Sequence, residues 1–300
     1  MLDAVNTYLE RMRGRWSIQT TEKYRWYLTK FCEWVKGNDL PQDPELIEMD
    51  HIRRWLDANS RWGANSMRTG ITAIRGFFRW AVGSEASPAK DVIAPKHEEK
   101  PQRTLEEWQI EKILATQDTS RLLGVRNVAI ILLMLDTGLR AAEVCSVSVE
   151  HLDLDNRHLR VRIKGGQWGV AVFSDYTALQ LAEWLRYRSL VAAREEQAVF
   201  VGVKGAKPGT HMTRDGLRAV FRSIGKKAGF HFSPHDLRRT FATMAVRNGA
   251  PTRLVQIAGR WKHLDMVETY TQALKPEDFE QYSPVKSLMG MNESQSKSHD

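Results

Sequence analysis

Three hundred residues, 42% hydrophobic and 27% charged, are ordinary for a globular protein but too many for a single core, so two domains are expected. The 44 lysines and arginines outnumber the 36 acids, and the net charge of +8 points to a polyanionic partner, nucleic acid before membrane. Two isolated cysteines, Cys32 and Cys145, make neither a disulfide framework nor a zinc ligand set, and no signal-like or bilayer-length apolar run occurs, so a cytoplasmic protein without membrane contact is expected.

The first part of the chain reads as helices. Ile18 to Lys36 places Tyr24, Tyr27, Leu28, Phe31, Trp34 and Val35 at three- and four-residue spacing, and Gly37 stands where a helix should stop. Asp43-Pro44 opens a short helix, and Asp50 is the expected cap of the next, which carries Ile52, Trp55 and Leu56. From Ala64 to Val82 a further helix has Met67, Ile71, Ile74, Phe78 and Ala81 on its apolar side. Its other side aligns Arg68, Thr72, Arg75 and Arg79 in one stripe, which suits a DNA groove and equally a solvated helix face.

Ser84 to Arg103 loses this periodicity and is rich in Pro, Lys and Glu, as an interdomain linker would be. Thr104-Leu-Glu-Glu107 then reads as a capping box ahead of Trp108, Ile113 and Leu114. A strongly apolar helix follows from Leu122 to Asp136 and is stopped by Gly138. The pattern changes to period two at His158–Ile163 and Trp168–Phe173, two strands around a turn at Lys164-Gly165-Gly166. Helices are expected again from Asp175, over Thr213–Ala228, His235–Asn248 and Thr252–Arg260, with a short strand at Ala198–Val203. The fold class is therefore mainly α with a small antiparallel β-sheet, an α+β arrangement. The boundaries are 1–86 for a helical domain, 87–103 for a linker, 104–283 for the second domain and 284–300 for a tail.

Charge is unevenly spread: +2 over residues 1–100, +9 over 101–275 and −3 over 276–300. The basic excess thus falls where chemistry-bearing residues cluster. Arg140 follows the Gly138 helix stop, and Arg238 lies one turn after His235 on the same helix face. An arginine fork donates two parallel N–H bonds to phosphate oxygens, which lysine does not reproduce. Taken alone, either arginine would more often pair with a neighbouring acid. Tyr270 closes the run Ala258-Gly-Arg-Trp-Lys-His-Leu-Asp-Met-Val-Glu-Thr-Tyr270, and a phenolate attacks phosphorus while arginines stabilise the charge that develops. Arg214, Arg218 and Arg222 repeat every four residues behind the Thr213 cap, as DNA contacts or as a solvated face. His231 and His235 are interrupted by Ser233-Pro234 and lack a third ligand, so no metal is expected.

Thr137-Gly-Leu-Arg140-Ala-Ala-Glu143-Val144, Ser233-Pro-His235-Asp-Leu-Arg238-Arg-Thr-Phe-Ala-Thr243 and the run ending in Tyr270 resemble the signature boxes of the tyrosine recombinases, the phage integrase family. The resemblance implies a helical SAM-like domain and a catalytic domain that form a C-shaped clamp on duplex DNA. It implies Tyr270 as nucleophile, Arg140 and Arg238 as phosphate clamps, His235 at a non-bridging oxygen and near the tyrosine proton, and Glu143 as a brace. Lys164 matches the family's proton donor to the departing 5′ oxygen; read without the resemblance, it is an exposed turn lysine. Nine residues before Tyr270, where the family usually has histidine, stands Trp261, as in Cre-like members. An indole N–H donates one hydrogen bond and transfers no proton, so Trp261 is expected to position and wall the site.

The implied reaction passes through a 3′-phosphotyrosine, needs no cofactor, and joins two duplex sites in a homo-tetramer, with accessory DNA-bending proteins a further partner class. The competing readings are a type IB topoisomerase-like nicking-closing enzyme and a catalytically silent DNA-binding protein of the same fold. The tail carries Val285, Leu288, Met289 and Met291, which suit docking on a neighbouring protomer or a disordered end.

Overall fold

A computed structural model of the chain describes residues 1–96, 103–163, 166–205, 207–265 and 267–268. The chain divides into two units, Met1–Pro101 and Gln102–Asp300. No described helix is long and apolar enough to cross a membrane.

The first unit holds α1 (Leu2–Arg11), α2 (Ile18–Gly37), α3 (Met49–Ala58) and α4 (Ala64–Ala81). Ser17 starts α2, its hydroxyl oxygen accepting the Thr20 N–H at 3.2 Å. The stretch opening at Asp43-Pro44 is a single 3₁₀ turn, Pro44–Leu46. Helix α3 begins earlier than expected. Glu48 is its cap, with His51 Nδ1 accepting the Glu48 N–H at 3.1 Å, and Asp50 lies inside the first turn, where its charge favours the helix dipole. Phe31, Trp55, Phe77 and Phe78 are fully buried, and Phe31 meets Trp55 and Phe78 edge to face at 5.4 and 6.0 Å. The packing of this unit continues past residue 86. Ala89 and Val92 are buried in the same core, and Arg75 of α4 donates to the carbonyls of both. Both residues fall within the segment expected as linker, 87–103.

The second unit comprises α5 (Glu107–Ala115), α6 (Leu122–Thr137), α7 (Ala141–Ser146), β1 (Leu152–Asp153), β2 (His158–Arg162), β3 (Trp168–Val172), α8 (Asp175–Arg188), α9 (Arg214–Ala228), α10 (Pro234–Arg247) and α11 (Thr252–Ala258). The cap of α5 is Glu106, with Gln109 Oε1 accepting its N–H at 3.1 Å, so the expected box at Thr104 shifts by two residues. The sheet is antiparallel in the order β1-β2-β3, with Leu159 opposite Ala171 and Arg162 opposite Trp168. This register sends Leu159, Val161 and Ala171 into the core and leaves Arg160, Arg162, Trp168 and Val170 outside. The strand expected at 198–203 is two isolated bridges, Ser148 with Ala198 and Val201 with His211, because successive residues find different partners.

Helix α6 is apolar on nearly every side because α8 and α10 both pack against it. Trp184 of α8 is completely buried and donates its indole N–H to Val199 O at 2.8 Å, a polar tip satisfied inside apolar packing. Asp136, at the end of α6, accepts from the Ser174 N–H and from the hydroxyls of Ser174 and Thr177. That anchors the start of α8 next to the α6–α7 junction. Thr240 of α10 accepts the Leu105 N–H at 2.9 Å, which seats the entry of the unit on the same helix.

Candidate active site

Gly138 ends α6 in the left-handed region at φ +58°, as the expected helix stop requires. The ring of Phe241 lies against its Cα, so a Cβ has no room. Two residues on, Arg140 is the N-cap of α7 and Glu143 is in its first turn. One Glu143 oxygen accepts the Arg140 backbone N–H at 2.8 Å, and the other accepts from its guanidinium at 2.7 Å. The Glu143 side chain is 5% exposed and that of Arg140 is 35% exposed. A buried carboxylate therefore grips the arginine from behind while the guanidinium reaches solvent.

Helix α10 positions the second set. The Asp236 carboxylate accepts the Ser233 N–H at 2.8 Å and its hydroxyl at 2.9 Å, while the Asp236 N–H returns to Ser233 Oγ at 3.3 Å. Pro234 takes the first helical position, where no N–H is needed. This double cap fixes His235 in the first turn of α10. One turn on, Arg238 is only 1% exposed. It donates to Gly138 O and, at 2.7 Å, to Gly259 O, and its guanidinium carbon stands 4.2 Å from the centroid of the Trp261 ring. Trp261 is itself buried and stacks on Phe241 at 6.1 Å. Arg238 thus joins the Gly138 turn, the end of α11 and the indole.

His235 is exposed to solvent in the first turn of α10. Partial desolvation by the surrounding protein lowers its pKa below the ordinary 6.5, and the charges of Arg239, Arg238 and Arg140 act the same way against Asp236. Those interactions bring His235 and both arginines into one field. A neutral imidazole at pH 7 is a proton acceptor. In single-turnover cleavage assays, the acid limb of the pH–rate profile should therefore fall below pH 6.5, and His235→Asn should remove that limb. Thermal unfolding should show the matching sign. The unfolded chain takes up the proton first, so the folded state loses stability as pH drops below 6.5.

Lys164 and Tyr270 lie outside the described residues. Around Lys164, the Ile163 N–H bonds Gln167 O at 2.9 Å and the Gly166 N–H bonds Ile163 O at 3.0 Å, closing the β2–β3 hairpin. The tail residues Val285, Leu288, Met289 and Met291 are likewise outside. On α4, Arg68, Thr72 and Arg79 are exposed, whereas Arg75 is half-buried and tied to the 89–92 segment. Arg214, Arg218 and Arg222 are exposed along α9, with Arg218 paired to Asp215 at 2.8 Å. Arg260 was not singled out by sequence reasoning. Its guanidinium bonds Thr137 O at 2.9 Å and stands 3.8 Å from Glu143. The signal available was an arginine in the place after a helix end where glycine is expected.

The phage integrase family model matches residues 103–277, and a model described as the phage integrase N-terminal SAM-like domain matches residues 5–85. The tyrosine recombinase XerD of Lacticaseibacillus casei is 30% identical over 277 residues, covering 88% of this chain and 90% of its own. That of Ralstonia nicotianae is 28% identical over 269 residues, covering 85% and 84%. Among solved structures, the XerH site-specific recombinase bound to its palindromic difH substrate superposes with a TM-score of 0.72 at 20% identity, covering 90% of this chain and 81% of that one. The chain belongs to the phage integrase family and is a site-specific tyrosine recombinase.

Proposed function

We propose that this recombinase cuts and rejoins duplex DNA through a 3′-phosphotyrosine on Tyr270. The observation that carries the reading is that Arg238 bonds the Gly138 carbonyl two residues before Arg140, whose guanidinium the buried Glu143 holds, while His235 stands one turn before Arg238 on α10. Tyr270 Oη attacks the scissile phosphorus, the bond to the 5′ oxygen breaks, and the 3′ strand stays on the protein. His235 takes the phenolic proton, and Lys164 returns one to the departing 5′ oxygen. Arg140 and Arg238 stabilise the charge on the non-bridging oxygens, with Trp261 as the wall behind Arg238. The 5′ hydroxyl of a second duplex then attacks the phosphotyrosine, which releases the phenol and conserves the bond energy.

The exposed Arg68, Thr72 and Arg79 of α4 and Arg214, Arg218 and Arg222 of α9 contact the DNA, with Arg75 bracing the first stripe. The working form is a cytoplasmic homo-tetramer on two sites, assisted by DNA-bending proteins where the sites require it. The test is covalent trapping on nicked duplexes taken from DNA flanking the gene, followed by recombination between two copies of the mapped site. A protein–DNA adduct on a denaturing gel and a recombinant product are expected. Relaxation of any supercoiled plasmid with no recombinant from any site pair would sink the reading.

A further inference from the structure

Helix α11 ends in a Schellman arrangement. The Arg260 N–H bonds Ile257 O at 3.0 Å, and the Trp261 N–H reaches back to Gln256 O at 3.0 Å. The residue between the cap and that last N–H takes a left-handed backbone, and glycine is its usual occupant. Here it is Arg260, at φ +57°, although a glycine stands immediately before it. Gly259 is required for a different reason. The Trp261 indole folds back onto its Cα, so that any Cβ there would run into the ring. The left-handed position therefore falls on a residue with a long, charged side chain.

That side chain turns inward. Its Nη1 donates to Ala258 O at 2.7 Å, its Nη2 donates to Thr137 O at 2.9 Å, and Nη2 stands 3.8 Å from Glu143 Oε2. The stem lies on Gly169 of β3, where a Cβ would come 3.0 Å from Arg260 Cδ. The side chain is 5% exposed, and its buried Nε–H meets no acceptor among the described residues. One residue thus combines an unfavourable backbone conformation, a desolvated charge and an unmatched donor. Such combinations persist where the surroundings demand them, often at functional sites.

We propose that Arg260 is a positioning residue for strand cleavage, acting through Glu143. This rests on the phosphoryl-transfer reading given above. Glu143 is the carboxylate that holds Arg140 through Oε1, and Arg260 Nη2 stands within ion-pair distance of its Oε2, at 3.8 Å. The second guanidinium holds the carboxylate at a fixed angle, and the carboxylate in turn aims the Arg140 fork at the phosphate. Through Thr137 O the same side chain also ties the 258–261 turn, whose last residue stands nine before Tyr270, to the Arg140 box. Arg238 makes the parallel tie through Gly138 O and Gly259 O.

The decisive substitution is Arg260→Gly, because it gives the backbone the residue that the turn favours. Its fold should be retained, because relief of the left-handed backbone offsets part of the loss of the bonds to Ala258 O and Thr137 O. Adduct formation in single turnover, on the nicked duplex that the native chain cleaves, should fall about 10- to 100-fold. Affinity for that duplex should stay within about twofold, since the side chain is buried away from it. Arg260→Lys, which keeps the charge without the planar fork, should recover part of the rate. In a Glu143→Gln background, Arg260→Gly should lower the rate little further, because the route through the carboxylate is already lost. Native-rate cleavage by Arg260→Gly, loss of its fold, or a fully additive loss with Glu143→Gln each overturns the proposal. Absence of adducts with the native chain is a separate result, and it would refute the functional reading itself.

Discussion

Tyr270→Phe should bind its DNA site as tightly as the native chain and form no covalent adduct, a loss of at least about 10⁴-fold in cleavage. The substitution keeps the aromatic ring and removes the phenolic oxygen proposed as the nucleophile. On the proposed reading, affinity comes from guanidinium and lysine contacts to the DNA backbone, which the change leaves alone. The measurement is paired: a native gel shift for binding and a denaturing gel for the adduct, on the same nicked duplex. The other tyrosines give the control its meaning. Tyr8 is buried in the N-terminal unit, where desolvation pushes its phenol up to about 12, and Tyr27 is buried in the same core. Tyr24 packs against that core, and Tyr187 against the core of the second unit. Tyr176 is exposed at the start of α8, and Tyr282 lies just before the tail, outside the described residues. Persistent adducts in Tyr270→Phe would transfer the chemistry to one of the last two and dismantle the assignment.

Much of the site was readable because its parts are set by local rules. Gly138 stops a helix, so Arg140 had to emerge at a helix junction. Ser233-Pro-His-Asp is a self-contained cap, so His235 and Arg238 were bound to share one face. What escaped depended on contacts between distant segments. Arg75 belongs to a basic stripe by spacing, yet its guanidinium is taken by the carbonyls of Ala89 and Val92, which only the fold brings close. Strand β1 is two residues long and has no period to detect. The Ala198–Val203 segment has strand-like composition, but its neighbours supply single bridges. Helix caps slipped by two residues at Glu48 and Glu106, because a carboxylate three residues before a good acceptor competes with the nearby Asp50 or Thr104. Arg260 illustrates the limit most clearly. Its charge is visible in the sequence, but its left-handed backbone and inward course follow from the Trp261 ring occupying the space over Gly259.

Arg238→Lys should lower cleavage by about 10²- to 10³-fold, the usual effect of removing one preorganised donor from a developing oxyanion, and should also destabilise the fold. The two effects share one cause. The Arg238 guanidinium spans the Gly138 and Gly259 carbonyls while standing over the Trp261 indole. A lysine ammonium is a point donor. It can satisfy one carbonyl but cannot bridge both, stack and address a phosphate at once. Leaving one buried carbonyl unsatisfied costs about 1–3 kcal/mol, and the thermal midpoint of a unit this size falls roughly 2–4 °C for each kcal/mol. Arg238→Ala leaves both carbonyls unmatched and opens a void beneath the indole, but it also removes a charge that was expensive to bury. Its stability should therefore fall by less than the sum of the lost bonds, while its cleavage falls further than that of the lysine variant. Comparing the two variants by single-turnover cleavage and thermal unfolding separates the roles. If Arg238→Lys cleaves at close to the native rate, the planar fork is dispensable, and Arg238 is a tie between segments and not a phosphate clamp.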